Sequence, residues 1–170
     1  ELTSGSDNIA LGKAALQVDT MGSANIAIGS YALSNSVGID NLVAIGDSAL
    51  YNNGNGATEF WHGRSNTAIG KAAMKNNTIG NANTAIGLRT LEDNTTGLAN
   101  TAIGASSMRR NVSGEENVAI GISTMFFREA GKGNVAIGSY ALAHDVNGSE
   151  IVAVGDSALL NNQGYSNTAV

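Results

Sequence analysis

The residues best suited to contact a ligand are concentrated in one short stretch of the chain. Residues 51–62 contain the only tryptophan of the sequence. The side chains with binding chemistry in or beside this stretch are Glu59, Phe60, Trp61, His62 and Arg64. An aromatic ring can stack on a sugar ring while neighbouring polar groups hydrogen-bond its hydroxyls. The stretch therefore predicts a receptor or glycan contact, and burial of Phe60 and Trp61 at a coil edge or subunit seam is the alternative.

The sequence offers little for catalysis or for metal binding. His62 and His144 lack carboxylates at metal-ligand spacing. The adjacent acids at 92–93 and 115–116 are typical of solvated loops, and no pair stands out as general acid and base. Neither a nucleophile turn nor a phosphate-binding glycine loop is present. We therefore expect a non-enzymatic protein with no catalytic residues, no metal and no cofactor.

Composition excludes several other classes of protein. The 170 residues include no cysteine, so disulfides and thiolate metal sites are ruled out. Only 14% of the residues are charged and the net charge is −5, which disfavours nucleic-acid binding. No apolar run approaches the ~20 residues of a membrane span, so we expect no membrane insertion in this segment.

A seventeen-residue repeat organises the whole chain. The string Asn-x-Ala-Ile-Gly, or a close variant, recurs ten times, and the last copy is cut off at Val170. Its final glycines lie 17 residues apart, except for one interval of 24 that contains a seven-residue insertion at about 51–62. The repeat positions to which we assign a structural role include Asn25, Gly29, Asn83, Gly87, Asn100, Gly104, Asn117, Gly121, Asn134 and Gly138.

Each repeat predicts one short strand. The residue after the asparagine position is always branched at Cβ, and it is followed by alanine and then mostly isoleucine. A unit of this length cannot bury its own apolar face, so the units must stack, about 4.8 Å apart. We therefore predict an all-β parallel solenoid of about ten coils over residues 1–170, in which glycines supply the turn angles and stacked asparagines cap the backbone.

Both sides of each predicted strand are apolar. Alanine points to one side, whereas the β-branched residue and the isoleucine point to the other. Parallel strands are normally covered on both faces, and so small a coil can cover only one of them. We therefore expect a neighbouring chain to cover the second face, and a flatter solenoid is the alternative.

A second aromatic pair, Phe126 and Phe127, stands where another copy of the repeat is polar. It lies four coils beyond the insertion, roughly 19 Å along the rod. We class the pair as a second candidate receptor contact, with subunit packing as the alternative.

The repeat resembles those of known bacterial and phage fibres. The segments 117–121 and 134–138 closely resemble the head repeat of trimeric autotransporter adhesins of the YadA type. The segments 83–87 and 100–104 are similar to repeats in phage tail-fibre shafts and related bacterial fibres. The resemblance covers essentially the whole chain, although 17 residues is longer than the usual adhesin repeat. It implies a left-handed β-roll of three identical chains, located extracellularly on a bacterial surface or a virion tail fibre.

These observations favour a structural and adhesive fibre segment. Its expected partners are two identical chains and a host receptor, glycan or extracellular matrix. By resemblance, matrix binding would involve residues 118–120 and 135–137, which already have a role in packing. The segment would act by multivalent contact of three identical faces.

Two other functions remain open on the sequence alone. An ice-binding solenoid needs an exposed threonine array, and isoleucine and valine interrupt the series Thr67, Thr84 and Thr101. A polysaccharide-degrading domain needs two facing carboxylates, and Glu59 has no evident partner acid.

Overall fold

Each copy of the repeat forms one strand at its β-branched–Ala–Ile segment, as predicted. The strands are β1 Ile9–Leu11, β2 Ile26–Ile28, β3 Val43–Ile45, β4 Thr67–Ile69, β5 Thr84–Ile86, β6 Thr101–Ile103, β7 Val118–Ile120, β8 Val135–Ile137, β9 Val152–Val154 and β10 Thr168–Ala169. The computed structural model describes residues 5–170, so the first four residues of the predicted domain 1–170 lie outside it.

The strands form one parallel sheet in chain order, β1 to β10. Each strand pairs with the next in the same register, so that Ala85 lies opposite Ala102 and Ala102 opposite Ala119. The chain is therefore an all-β solenoid of about nine turns, which confirms the predicted fold class. Residues 5–170 contain no helix, and hence none that could cross a membrane.

The core lies inside the coils and is filled from two opposite walls. The central alanine of each strand from β2 to β9 points inward and is fully buried. Six residues later a leucine or methionine, such as Leu91 or Met108, points inward from the returning segment and is also fully buried. This Ala-Leu segment forms turns rather than a second strand.

The final glycines of the repeats adopt positive φ angles, as expected, but most of the positive φ angles at the turns belong to residues other than glycine. Met108 has a φ of 48°, and the residue two positions earlier, Ser106, has a φ of 59°. Ala99, which precedes the asparagine position, has a φ of 55°. Burial and inter-coil hydrogen bonds, such as that from Met108 N to Thr124 O at 2.8 Å, offset the steric cost of this conformation.

The asparagine of each repeat forms an internal ladder of amides. Asn100 is fully buried, and its backbone N–H donates to Asn83 Oδ1 at 3.0 Å. Its Nδ2 donates to the same oxygen at 3.1 Å and to Gly114 O at 2.7 Å. Asn117 repeats the pattern one coil further along, with Asn100 Oδ1 as its acceptor. The ladder therefore satisfies buried backbone groups from coil to coil, except where Leu42 and Ile151 occupy the asparagine position and supply no amide.

Replacing Asn100 with alanine is expected to lower the free energy of unfolding by about 3 kcal/mol, because buried groups of Asn117 and Gly114 lose their partner. Chemical denaturation followed by circular dichroism measures this change. The matched control is Asn35→Ala, since Asn35 is exposed and shares one amide hydrogen bond with Asn52. Its expected loss is within about 0.5 kcal/mol. Equal losses for the two variants would contradict a stabilising role for the ladder.

A second asparagine ladder runs through the interior, formed by Asn53, Asn77, Asn94 and Asn111. Nδ2 of Asn94 donates to Asn77 Oδ1 at 2.6 Å, and Nδ2 of Asn111 donates to Asn94 Oδ1 at 2.7 Å. This ladder ends at Arg128, which occupies the next equivalent position and is fully buried.

Arg128 interrupts the second ladder with an internal ion pair. Its Nη1 donates to Asp145 Oδ1 at 3.2 Å, one coil further along. Its Nε and Nη2, and Asn111 Oδ1, have no hydrogen-bond partner within residues 5–170. Burial lowers the pKa of the Arg128 guanidinium, and the charge and hydrogen bond of Asp145 oppose that shift. The pair is therefore a point of low stability in the interior.

The double variant Arg128→Asn with Asp145→Asn is expected to raise the free energy of unfolding by about 2 kcal/mol. The two amides would continue the ladder from Asn111 to Asn162, whose Nδ2 already donates to Asp145 Oδ2 at 2.7 Å. By contrast, Asp145→Ala alone is expected to cost about 3 kcal/mol or more, because Arg128 loses its counter-ion. Denaturation midpoints test both values, and a double variant less stable than the natural chain would disprove the argument.

Candidate functional site

The insertion leaves the solenoid as one loop and returns to it directly. Gly54 N donates to Thr78 O at 2.6 Å, and Gly63 N donates to Ile79 O at 3.0 Å. Both ends of the loop are therefore fixed to the following coil, and the intervening residues 55–62 project from it, except for Ala57, which packs against the core.

Hydrogen bonds within the loop hold its aromatic residues in place. His62 Nδ1 accepts from Thr58 N at 3.2 Å and from Glu59 N at 3.3 Å. Phe60 and Trp61 lie edge to face with their ring centres 4.8 Å apart. The side chains of Phe60 and Trp61 are 74% and 48% exposed. Within a single chain these rings are on the surface, so their burial, the alternative given above, would need a second chain.

A cavity of about 180 Å³ lies beside this loop. It is lined by Phe60, Trp61, Arg64, Ser65, Asn81 and Ala82. Arg64 Nη2 is held by Asp40 Oδ2 at 2.8 Å, so its charge is already paired. The structure thus brings three of the five predicted loop residues to one cavity, and Glu59 and His62 do not line it.

Phe126 and Phe127 belong to a larger cluster in which every member lies near a neighbour one coil away. Their ring centres are 4.7 Å apart. The guanidinium of Arg110 lies 5.5 Å from the Phe127 ring centre, and that of Arg109 lies 5.9 Å from the Phe126 ring centre. His144 packs against Phe127 at 5.3 Å.

Sequence reasoning did not include Arg110, His144 or Tyr140 in this cluster. The repeat contains the signal that could have found the first two, because Arg110, Phe127 and His144 follow one another at intervals of 17 residues. Equivalent positions on successive coils stack, so such residues must be neighbours.

Two cavities flank the Phe127–His144 pair. The first, of about 170 Å³, is lined by Ser123, Phe126, Phe127, Tyr140, Ala143 and His144. The second, of about 430 Å³, is lined by Arg110, Phe127, Glu129, His144 and Val146. We refer to the two cavities and their shared wall as the Phe127 groove.

The charges of the Phe127 groove are partly paired. Arg109 Nε donates to Glu92 Oε2 at 2.7 Å. Within residues 5–170, neither Arg110 nor Glu129 has a partner of opposite charge at ion-pair distance, and both are exposed. His144 Nδ1 lies 2.8 Å from Asn161 Oδ1.

The loop and the Phe127 groove do not form one patch. When the repeats are aligned, Arg64 corresponds to Lys132. Lys132 follows the interior residue Arg128 in the chain, whereas Phe127 precedes Arg128. The two sites thus occupy different walls as well as different coils. In the part of the chain that the structure describes, no three histidine or acidic side chains gather as they would around a metal ion.

The outer side of the sheet carries a continuous apolar series. Ile86, Ile103, Ile120 and Ile137 are 37%, 36%, 37% and 39% exposed and stack in register, and we call them the isoleucine ladder. Alternation along the strand is therefore as expected, with alanine inside and isoleucine outside. Beside this ladder, Thr67, Thr84 and Thr101 are only half-buried and give way to valine at Val118.

No protein-family model, curated protein or solved structure shows significant similarity to the chain.

Proposed function

We propose that the chain is a non-enzymatic segment of an extracellular fibre, in which three identical chains pack together through their isoleucine ladders. The observation that carries the proposal is the apolar outer face of a parallel sheet. Parallel sheets are normally covered on both faces, and a continuous apolar surface marks an interface. Each coil contributes one isoleucine to the ladder, so the apolar surface runs along the rod. Such a surface suits a partner chain that has the same repeat.

A second copy of the chain fits this surface because its spacing is identical. Chains placed side by side in the same direction match isoleucine to isoleucine at every 4.8 Å step. Three chains about one axis close the arrangement and leave no ladder uncovered. The resemblance to YadA-type head repeats and tail-fibre shafts supports a trimer on a bacterial surface or a virion.

The adhesive part of the proposal rests on the two aromatic surfaces. Trp61 with Phe60 and the pair Phe126–Phe127 project from a rigid rod, on walls other than the sheet. A trimer repeats each surface three times, so weak contacts with a host receptor, glycan or matrix combine into avidity.

Cysteine labelling tests the buried ladder, because the chain contains no cysteine of its own. The variant Ile120→Cys is compared with Val112→Cys, since the two native side chains are 37% and 40% exposed in the single chain. In the trimer, maleimide should modify position 120 at least about tenfold more slowly than position 112, because a neighbouring chain covers the ladder. Equal rates in the native protein would contradict the proposal.

A further inference from the structure

The Phe127 groove has the shape of two adjacent ligand subsites. Its two cavities share Phe127 and His144 as their common wall. Ser123 and Phe126 lie before this wall in the chain, and Glu129 lies after it. The line that joins the cavities therefore follows the direction of the chain, across the axis of the solenoid.

The walls of the groove combine stacking surfaces with a few polar groups. Phe127 is 38% exposed and Tyr140 is 50% exposed, so both can be reached from solvent. Arg110 donates hydrogen bonds only, Glu129 as a carboxylate accepts only, and the hydroxyl of Ser123 does both. Sugar hydroxyls also donate and accept, and the C–H face of a pyranose packs on an aromatic ring.

The charges of the groove favour a neutral ligand. Arg110 and Glu129 line the same cavity, carry opposite charges and have no counter-ion within residues 5–170. A carboxylated or sulfated sugar would meet Glu129 as well as Arg110, and an amino sugar would meet Arg110 as well as Glu129, so that a charged ring gains from one group and is repelled by the other. A neutral ring can satisfy both groups through its hydroxyls.

The groove is held rigidly by the solenoid. The backbone N–H of Phe127 donates to Ala143 O at 3.0 Å, and that of Glu129 donates to Val146 O at 3.1 Å; both acceptors lie in the following coil. His144 N likewise donates to Leu160 O at 2.9 Å. Met125, two residues before Phe127, points into the core opposite the strand alanines. The groove thus lies on the wall away from the isoleucine ladder and stays open in a trimer packed through that ladder.

We infer that the Phe127 groove binds a neutral oligosaccharide of at least two sugar rings, one ring on each side of the Phe127–His144 pair. The saccharide lies across the fibre axis. This inference rests on the proposed adhesive function and names the ligand class of one of its surfaces.

Titration calorimetry with maltotetraose, cellotetraose and α-1,6-mannotetraose tests the inference, with tetragalacturonate as the charged comparison. At least one neutral tetrasaccharide should bind, about tenfold more tightly than its monosaccharide, because two subsites are filled. Phe127→Ala should weaken this binding about tenfold through loss of stacking. Arg110→Gln, at an exposed position, should weaken it about threefold without affecting the core.

Two control variants locate the binding. Val18→Ala alters an exposed residue at the repeat position equivalent to Phe127, and it should leave affinity unchanged. Trp61→Ala separates the groove from the insertion loop, which lies on another wall and is itself a proposed contact. The inference is overturned if no neutral tetrasaccharide binds, if only tetragalacturonate binds, if the monosaccharide binds equally well, or if Trp61→Ala rather than Phe127→Ala removes binding.

The two proposals fail in different experiments. The labelling rates at positions 120 and 112 are measured without any glycan, and they report on the trimer alone. Slower labelling at position 120 than at position 112, together with neutral-glycan binding that Phe127→Ala weakens, is the result that supports both proposals. Protected labelling with no glycan binding overturns the groove and leaves the fibre, whereas equal labelling overturns the fibre.

Discussion

Replacing Gly87 with alanine is expected to lower the free energy of unfolding by about 4 kcal/mol or more. Gly87 has a φ of 135°, which residues with a side chain rarely adopt. An added Cβ would stand 2.7 Å from the carbonyl carbon and oxygen of Gly104 in the next coil. Both atoms belong to the stacked backbone, so relief of the contact requires two coils to separate. Urea denaturation followed by circular dichroism measures the loss.

Gly133→Ala is the matched control for this prediction. Gly133 also has a positive φ, of 67°, but apart from its two chain neighbours no other residue of 5–170 would have a heavy atom within 4 Å of a Cβ there. The equivalent position of an earlier repeat is Ala99, which adopts a φ of 55°. The expected loss is about 1 kcal/mol. A Gly87 variant as stable as the Gly133 variant would show that the close stacking of glycines is not what fixes the coil spacing.

The double variant Ile103→Lys with Ile120→Lys is expected to convert the proposed trimer to monomers. Each replacement removes a buried isoleucine contact and places an ammonium group in an apolar seam, at a cost of at least about 2 kcal/mol per chain. Even if only one of the two positions is counted, the cost summed over the three chains corresponds to an association constant that is about 10⁴-fold lower. Sedimentation velocity at micromolar concentration measures the change in mass.

Val112→Lys controls for the added charge, since Val112 is exposed to a similar degree on another wall. It should leave the sedimentation coefficient unchanged. Circular dichroism should show the same β content for both variants, because isoleucine and valine at these positions point away from the core of the single chain. A double lysine variant that keeps the mass of the natural protein would show that the ladder is not the interface.

The strands and their register could be predicted because one local pattern is repeated at a fixed spacing. Ala85, Ala102 and Ala119 occur at the same place in three consecutive repeats, and stacking puts them side by side. The turns could not be predicted in the same way. Met108 adopts a positive φ that its residue type disfavours, because burial and inter-coil hydrogen bonds outweigh the local preference.

The candidate sites were only partly predictable for a different physical reason. The residues of the insertion are contiguous, so their proximity to Trp61 follows from the chain itself. The neighbours of Phe127, in contrast, are Arg110 and His144 on adjacent coils, and they become visible only when the repeats are aligned. The wall on which the insertion loop or the Phe127 groove lies depends on where the chain turns, and the turn at the buried residue Arg128 is set by the tertiary structure.

The interior polar residues were also read incompletely from the sequence. Asn94 and Asn111 lie in polar stretches, and such stretches usually predict exposed loops. Both are fully buried, since the amide of one satisfies the amide of the next. A stacked solenoid can bury asparagine at every turn because its neighbours above and below supply the missing partners.

Native mass is the measurement that tests the central claim, a fibre built by association of identical chains through the isoleucine ladder, most directly. Sedimentation equilibrium of the natural chain at several micromolar concentrations should give three times 17.2 kDa. A stable mass of 17.2 kDa across the same range would contradict the claim, because the ladder would then remain uncovered in solution.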